Sequence, residues 1–346
     1  MADKTSKLEN LYNIDKTNKI AFVFPGQGAQ YENMGKEFYD EYATARKIYG
    51  DCLANPTQFF GSIADFTATN VAQPAIFLTD LVAATLLAEN GVTADGVAGF
   101  SLGELPAVAF GGLLPTKQAF ELTQFRAAKM HQATIAQKGG MLAVLGLSDE
   151  IVNRICEDVG KAYPVNYNAP GQVVVAFFEG NWGDLAEFDG KSDNLGYSAE
   201  KSQNKAETVQ SALIQAVKAA KGKTVPLAVA GAFHSPLMDG VSQDLSAFLE
   251  NVTFAQPKLH IYANVSAKPY SLENAAELLA KQVNSPVLWK STIENMIADG
   301  FTTFVETGPG KTLAGLIKKI AKNNENVRIY NVYDKKTLEE VLSNVK

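Results

Sequence analysis

Several residue types are scarce in this chain of 346 residues, and each scarcity narrows the range of possible functions. The two cysteines, Cys52 and Cys156, lie far apart, so their spacing gives neither a disulfide framework nor a metal site. Only three histidines are present, which leaves few candidates for a general base. The net charge of −6 and the lack of a basic stripe argue against nucleic acid as the main ligand.

The sequence also lacks the patterns of a targeting signal and of a membrane span. Residues 1–18 are polar and mixed in charge, without the apolar centre of a signal peptide. No apolar run approaches the roughly 20 residues that cross a bilayer. Hydrophobic residues make up 46% of the chain, enough to bury a large core. We therefore expect a cytoplasmic globular protein that does not act on a membrane.

Strand and helix signals alternate through the first 138 residues and again after residue 229. This alternation is typical of a parallel sheet whose two faces are covered by helices. The first half predicts a strand at 20–24 and helices at 74–89 and 116–137. The second half predicts helices at 235–250, 272–281, 289–298 and 312–321, and strands at 259–264, 302–305 and 327–330.

Residues 139–228 follow a different order. The pattern there predicts strands at 141–147, 163–167, 172–178 and 224–229 and helices at 149–159 and 206–221. In chain order this is strand, helix, two strands, helix and strand, which is the ferredoxin-like arrangement. We therefore predict a polar tail at 1–18, a core formed by 19–138 and 229–346, and an inserted subdomain at 139–228. Within the insert, residues 179–204 are rich in glycine, asparagine, aspartate and serine and are long for a loop.

The strongest chemical signal is the stretch Gly-Phe-Ser-Leu-Gly at residues 99–103, where an apolar strand gives way to a helix. Gly-x-Ser-x-Gly at such a junction is the nucleophile elbow, in which glycines permit a strained turn that presents the serine. Ser101 would then attack an ester or thioester carbonyl, with the next backbone N–H directed at the oxyanion. The alternative is an ordinary glycine-rich turn in which Ser101 caps the helix.

A nucleophilic serine needs a base, and the three histidines limit the choice. His131 and His260 fall inside a predicted helix and a predicted strand, where packing or surface roles are usual. His234 precedes a Ser-Pro pair at the start of a helix and follows the serine in chain order, as in elbow hydrolases. No acidic residue occupies an obvious third position, so a backbone carbonyl or an amide would have to orient the imidazole.

Two more positions are candidates for the site. The tight turn after the first strand is suited to presenting the backbone N–H of Gln27 as a second oxyanion donor, although a simple β-turn is the alternative. Arg126 shares an apolar helix stripe with Leu122 and Met130. On this pattern alone, snorkelling to solvent is the more usual explanation, and capture of a substrate carboxylate is the alternative.

Taken together, the motifs resemble malonyl-CoA:acyl carrier protein transacylases and, more broadly, the acyltransferase domains of fatty acid and polyketide synthases. The resemblance runs from about residue 19 to residue 322. It is carried in order by Phe-Pro-Gly-Gln-Gly-Ala-Gln at 24–30, the elbow with Glu104, Arg126 at the family's spacing from the serine, Asn-Tyr-Asn-Ala-Pro-Gly-Gln-Val-Val-Val at 166–175, Gly-Ala-Phe-His-Ser at 231–235, Gln282 before Asn-Ser-Pro-Val at 284–287, and Glu-Thr-Gly-Pro-Gly at 306–310.

The resemblance implies an α/β fold, with an α/β-hydrolase-like core of mostly parallel sheet and an inserted ferredoxin-like subdomain. It makes Ser101 the nucleophile and His234 the base. Gln282 would orient His234 through its backbone carbonyl. Gln27 and Leu102 would supply the N–H groups of the oxyanion hole.

The resemblance also assigns substrate-binding roles. Arg126 would hold the malonyl carboxylate. Phe233 belongs to an Ala-Phe-His motif that malonyl-selective members often carry, and its bulk would leave little room for an α-methyl group. Phe100 stands where the family usually has histidine, which removes a polar contact near the acyl group. Ala127 replaces a common glycine, a change that a helix tolerates.

The implied function is transfer of a malonyl group from malonyl-CoA to the phosphopantetheine thiol of acyl carrier protein, through a malonyl-serine intermediate, for fatty acid or polyketide extension. No metal or other cofactor is implied, and a monomer is expected. One alternative is a hydrolase that clears wrong acyl groups from carrier proteins, against which Arg126 counts. Another is a non-catalytic docking subunit, against which the intact Ser101 and His234 count.

Overall fold

The computed structural model describes residues 18–61, 66–136, 138–180, 208–229 and 231–345. Apart from residue 18, the predicted polar tail lies outside the described residues. Most of the 179–204 segment lies outside them as well.

The larger sheet consists of five parallel strands. They are β1 (Lys19–Phe24), β2 (Gly96–Gly99), β7 (His260–Tyr262), β8 (Phe301–Thr307) and β9 (Arg328–Val332), in the spatial order β7-β2-β1-β8-β9. In the register of β1 and β2, Phe24 pairs with Gly99. The two strands therefore end side by side, and the loops that follow them meet at the same edge of the sheet.

Both faces of this sheet are covered, which explains why its strands are almost wholly apolar. Along β1, Phe22 and Phe24 belong to one buried hydrophobic cluster, and Ala21 and Val23 belong to another. The helices of this part are α1 (Lys36–Glu41), α2 (Ala43–Cys52), α3 (Thr69–Glu89), α4 (Glu104–Phe110), α5 (Thr116–Ala136), α8 (Asp239–Leu249), α9 (Ala275–Lys281), α10 (Trp289–Ala298), α11 (Thr312–Ile320) and α12 (Lys335–Asn344).

The strands between β2 and β7 form a second sheet. They are β3 (Gly139–Leu145), β4 (Ala162–Ala169), β5 (Gln172–Phe178) and β6 (Lys223–Pro226), in the order β4-β5-β3-β6, and every neighbouring pair is antiparallel. Helices α6 (Asp149–Val159) and α7 (Val209–Ala219) share a hydrophobic cluster with this sheet. This is the ferredoxin-like order, so the predicted fold class is confirmed.

The two sheets are joined by main-chain hydrogen bonds as well as by the connecting chain. The N–H of Val287 donates to the carbonyl of Val165 at 2.8 Å, and the N–H of Tyr167 donates to the carbonyl of Val287 at 3.0 Å. This pairing fixes β4 of the small sheet against the loop that precedes α10.

Helix α3 differs from its sequence prediction. It begins at Thr69 rather than at residue 74, so Pro74 lies inside the helix. Burial of Ala72, Ile76 and Phe77 on either side outweighs the hydrogen bond that proline cannot donate. By length and composition α3 is apolar enough to cross a membrane, yet most of its apolar window is buried inside the protein, as in a core helix.

Other differences lie at the ends of elements and in short helices. The predicted strand at 224–229 ends at Pro226. The predicted helix at 235–250 is divided into a 3₁₀ turn, Pro236–Met238, and α8. Helices α1, α2 and α12 were not predicted, because their apolar positions are few and their stabilisation comes from packing.

Asp80 in α3 is an ionisable side chain in the buried core beside the larger sheet. It is fully buried, and neither of its carboxylate oxygens has a hydrogen-bond partner among the described residues. A Cβ at Gly308 would lie 1.8 Å from Asp80 Oδ1, so the surroundings are tightly packed. Burial, with a smaller contribution from Glu306, raises the pKa of Asp80 well above 3.8.

We predict that Asp80→Asn stabilises the protein increasingly as pH rises. A raised folded-state pKa means that the wild type loses stability above the unfolded-state value, by about 1.4 kcal/mol per pH unit until the folded-state pKa is reached. Denaturant unfolding of both proteins between pH 4 and pH 8 measures the difference. Asp51→Asn, which removes an exposed charge paired with Lys47, is the matched control. A variant less stable than the wild type at pH 8 would contradict the assignment.

Candidate active site

The serine lies on a strained turn between β2 and α4. Ser101 has a φ of 52°, in the left-handed region that side chains avoid, and a 3₁₀ turn at Ser101–Gly103 leads into the helix. A Cβ at Gly99 would lie 2.0 Å from the carbonyl of Gly103, and one at Gly103 would lie 2.0 Å from the carbonyl oxygen of Phe24. Only glycine fits at either position, as the elbow motif requires.

Asn264 fixes the elbow from the neighbouring strand. Its Oδ1 accepts a hydrogen bond from the N–H of Ser101 at 2.7 Å, and its Nδ2 donates to the carbonyl of Gly99. Asn264 follows β7, which is the strand next to β2. The sequence analysis missed this residue, although its place just after a parallel strand was the available signal.

Ser101, His234 and Gln282 form a hydrogen-bonded chain. The Ser101 Oγ lies 2.7 Å from His234 Nε2, and His234 Nδ1 lies 2.8 Å from the backbone carbonyl oxygen of Gln282. A carbonyl only accepts, so Nδ1 carries the proton and Nε2 is left to accept the serine proton. Burial, and next the charge of Arg126, lowers the pKa of His234 to about 4. At neutral pH the imidazole is therefore neutral and able to act as a base.

Arg126 is buried, so the explanation that its helix stripe favoured, snorkelling to solvent, is wrong. Its Nη1 donates to Gln73 Oε1 at 2.8 Å, and its Nη2 donates to Gln282 Oε1 at 2.8 Å and to Ser101 Oγ at 3.2 Å. No carboxylate among the described residues forms an ion pair with it. Burial lowers the pKa of Arg126 to about 10, although nearby Glu104 opposes this. The guanidinium is therefore a buried cation held by neutral amides.

Gln282 also contacts a buried acid. Its Nε2 donates to Glu104 Oε2 at 2.8 Å and to the carbonyl of Ser101. Glu104 Oε1 accepts from the N–H of Asn264 at 3.0 Å and from the hydroxyl of Tyr270. Burial raises the pKa of Glu104 to about 7 against the opposing effect of these hydrogen bonds.

The two proposed oxyanion donors belong to adjacent loops. Gln27 follows β1, and a Cβ at Gly26 would lie 2.4 Å from the carbonyl oxygen of Phe100, so this turn packs directly on the elbow. Leu102 is the second residue of the 3₁₀ turn that begins at Ser101. The backbone N–H groups of Gln27 and Leu102 have no hydrogen-bond acceptor among the described residues. Both amides are therefore available to an oxyanion.

A pocket opens above the serine between the two sheets, and Gln27, Phe100, Phe233 and His234 line it. Phe100 packs against Trp289 with ring centroids 5.6 Å apart. On the other wall, the side-chain oxygens of Asn166 and Asn168 are buried, without a hydrogen-bond partner among the described residues.

Comparisons with known proteins agree with this geometry. The profile of the acyl transferase domain matches residues 21–200. The malonyl CoA-acyl carrier protein transacylase of Bacillus subtilis strain 168 is 31% identical over 340 residues, which cover 95% of this chain and 98% of that protein. The chain belongs to the malonyl CoA-acyl carrier protein transacylase family. The resemblance drawn from the sequence motifs is thereby confirmed.

Solved structures in this family share the fold. The crystal structure of MCAT from Streptococcus pneumoniae has a TM-score of 0.81 and 31% identity, covering 94% of this chain and 99% of that one. A complex of a type II polyketide synthase acyl-carrier protein with its malonyl-transacylase has a TM-score of 0.81 and 27% identity, covering 94% of this chain and 100% of the other. Members of the transacylase family thus share both sheets with this chain.

We predict that the rate at which a reagent inactivates Ser101 falls only at acid pH, well below the usual pKa of histidine. Because His234 has a pKa of about 4, the rate with a small sulfonyl fluoride should stay flat from pH 8 to about pH 5 and fall below it. Arg126→Ala removes a charge that lowers this pKa, so the limb should move to higher pH, whereas Arg126→Lys should keep it low. Wild-type and variant rates across this range test both statements. A wild-type limb near 6.5 would mean that His234 is not held neutral by burial.

Proposed function

We propose that this protein transfers malonyl groups from malonyl-CoA to the phosphopantetheine thiol of acyl carrier protein. The observation that carries the proposal is the buried Arg126 guanidinium, which lies 3.2 Å from the nucleophile and has no acidic partner among the described residues. A general acyl hydrolase has no need of such a cation. The family relationship supports the same activity.

In the first half-reaction, His234 Nε2 accepts the proton of Ser101 Oγ as the oxygen attacks the thioester carbonyl. The oxyanion accepts hydrogen bonds from the N–H groups of Gln27 and Leu102. When the carbon–sulfur bond breaks, His234 returns its proton to the sulfur. Coenzyme A leaves as the thiol, and a malonyl ester remains on Ser101.

The malonyl carboxylate binds Arg126 in this scheme. A planar guanidinium suits a carboxylate, and burial strengthens the pairing because water does not screen it. The neutral amides of Gln73 and Gln282 keep the guanidinium in place without neutralising it. Phe233, buried beside the base, limits the room for a substituent on the α-carbon.

In the second half-reaction, the thiol of the carrier's phosphopantetheine arm gives its proton to His234 Nε2 and attacks the malonyl ester. Ser101 leaves with that proton, and the malonyl group is carried away as a thioester. In this scheme the arm enters the pocket along the wall that includes Asn166 and Asn168. Its passage along the pocket excludes water from the ester.

We also place this reaction in the cytoplasm, as a step that supplies chain extension in fatty acid or polyketide synthesis. The burial of the apolar helix α3 supports a protein that works away from the bilayer.

Two substitutions test the covalent step. Ser101→Ala should abolish the malonyl adduct, since the other side chains around Arg126 offer no nucleophile paired with a base. His234→Ala should lower turnover by orders of magnitude, and adding Ser101→Ala should cost little more, because the two residues act as a unit. Intact-protein mass spectrometry after incubation with malonyl-CoA, followed by transfer to holo acyl carrier protein, measures both. A persisting adduct on Ser101→Ala, or additive losses, would contradict the dyad.

Arg126→Ala should change acyl preference. Loss of a buried charge partner costs about 2–5 kcal/mol, or roughly 30- to 5,000-fold in kcat/KM for malonyl transfer. Acetyl transfer should fall far less, because the acetyl group lacks the carboxylate. Arg126→Lys should rescue only in part, since an ammonium lacks the planar fork. Comparison of kcat/KM for the two thioesters decides the matter, and equal losses for both would make Arg126 a structural residue.

A further inference from the structure

Glu104 is a buried carboxyl group that the reaction scheme does not use. It is fully buried at the start of α4, and it does not touch the serine oxygen or the imidazole. Every contact that its two oxygens make is with a donor: the N–H of Asn264, the hydroxyl of Tyr270 and the side-chain amide of Gln282. This arrangement matches an ionised carboxylate, which only accepts.

The amide of Gln282 has one permissible orientation when Glu104 is ionised. Its nitrogen faces two acceptors, Glu104 Oε2 and the carbonyl of Ser101, and its oxygen faces the guanidinium of Arg126. A flipped amide would bring oxygen against the carboxylate and the carbonyl, and N–H against the guanidinium. All of these contacts would be repulsive, so the carboxylate sets the direction of the amide.

The orientation of Gln282 in turn positions the cation. Gln282 Oε1 accepts from both Nε and Nη2 of Arg126, at 3.2 and 2.8 Å, and Gln73 holds the remaining nitrogen. His234 is held differently, because it contacts the backbone carbonyl of Gln282 rather than the amide. A flip of the amide would therefore disturb Arg126 and leave the base in place.

We propose that Glu104 is a positioning residue for malonyl selectivity: its carboxylate fixes the amide of Gln282, which fixes the guanidinium of Arg126 for the substrate carboxylate. The proposal rests on the malonyl transfer proposed above. The carboxylate acts through the side-chain amide of Gln282, whereas the backbone carbonyl that contacts His234 takes no part in this relay.

Glu104→Gln tests the relay with a side chain of nearly the same shape. Glutamine has one acceptor oxygen, so it cannot accept from Gln282 on one side and from Asn264 and Tyr270 on the other. We expect kcat/KM for malonyl-CoA to fall roughly tenfold or more, mainly through KM, with a much smaller change for acetyl-CoA. The rate of inactivation by a sulfonyl fluoride, which carries no carboxylate, should stay within about twofold of the wild type.

Two further variants control the experiment. Tyr270→Phe removes a donor from the other oxygen of Glu104 without adding a competing one, so it should keep most of the malonyl-to-acetyl ratio at pH 8.5. In an Arg126→Ala background, Glu104→Gln should lower this ratio no further, because the group that it positions is gone.

The pH dependence of the malonyl-to-acetyl ratio gives a second measurement. The ionisable groups that face Glu104 are Arg126 from α5 and Tyr270 from the loop after β7, and both stay protonated at neutral pH. With a pKa of about 7, Glu104 takes up a proton as pH falls through neutrality. The malonyl-to-acetyl ratio of the wild type should therefore drop between pH 8.5 and pH 5.5, and the ratio of Glu104→Gln should stay low throughout.

The outcomes separate this inference from the proposed function. No malonyl transfer by the wild type would overturn the function itself. Malonyl transfer with equal losses for both thioesters in Glu104→Gln would overturn only the role of Glu104. A further fall of the ratio in the Arg126→Ala background would do the same.

Discussion

A buried arginine that forms no direct ion pair with a carboxylate of the described residues is the constraint around which the site is organised. Arg126 remains charged at neutral pH despite its burial, and its donors are satisfied by the neutral side chains of Gln73 and Gln282. Its positive potential helps to keep His234 deprotonated, and its lack of a counter-ion leaves a place for an anion. One buried charge thus favours the neutral base and, in the proposed function, also selects the substrate.

The parallel sheet brings the other groups together from distant parts of the chain. Gln27, Ser101 and Asn264 follow β1, β2 and β7, three neighbouring strands whose carboxyl ends share an edge. His234 and Gln282 come from segments outside the sheet, and the N–H of His234 donates to the carbonyl of Val283 at 2.9 Å. The second sheet supplies the opposite wall of the pocket.

Much of the fold class and the main chemical groups could be predicted from the sequence because each has a local signature. Glycines around a serine, alternation of strands and helices, and a lone loop histidine are visible without knowledge of tertiary contacts. The burial of Arg126 was not predictable from its helix stripe, since the same stripe suits a snorkelling side chain. Asn264 and Gln73 were missed because their importance comes from contacts across more than 50 residues of sequence. The predicted start of α3 was too late, because a proline commonly occupies the first turn of a helix. In the structure the helix begins at Thr69, since burial of the residues around Pro74 stabilises the earlier turn.

The loop that precedes α10 joins elements that are otherwise separate. Within residues 282–288, Gln282 faces His234, Val287 pairs with β4 of the small sheet, and the N–H of Leu288 donates to the carbonyl of Asn264 at 3.0 Å. The carbonyl that contacts the imidazole and the main chain that holds the small sheet thus lie within seven consecutive residues. The insert is therefore anchored on the same short segment that contacts the imidazole, so its attachment and the orientation of His234 share one stretch of backbone.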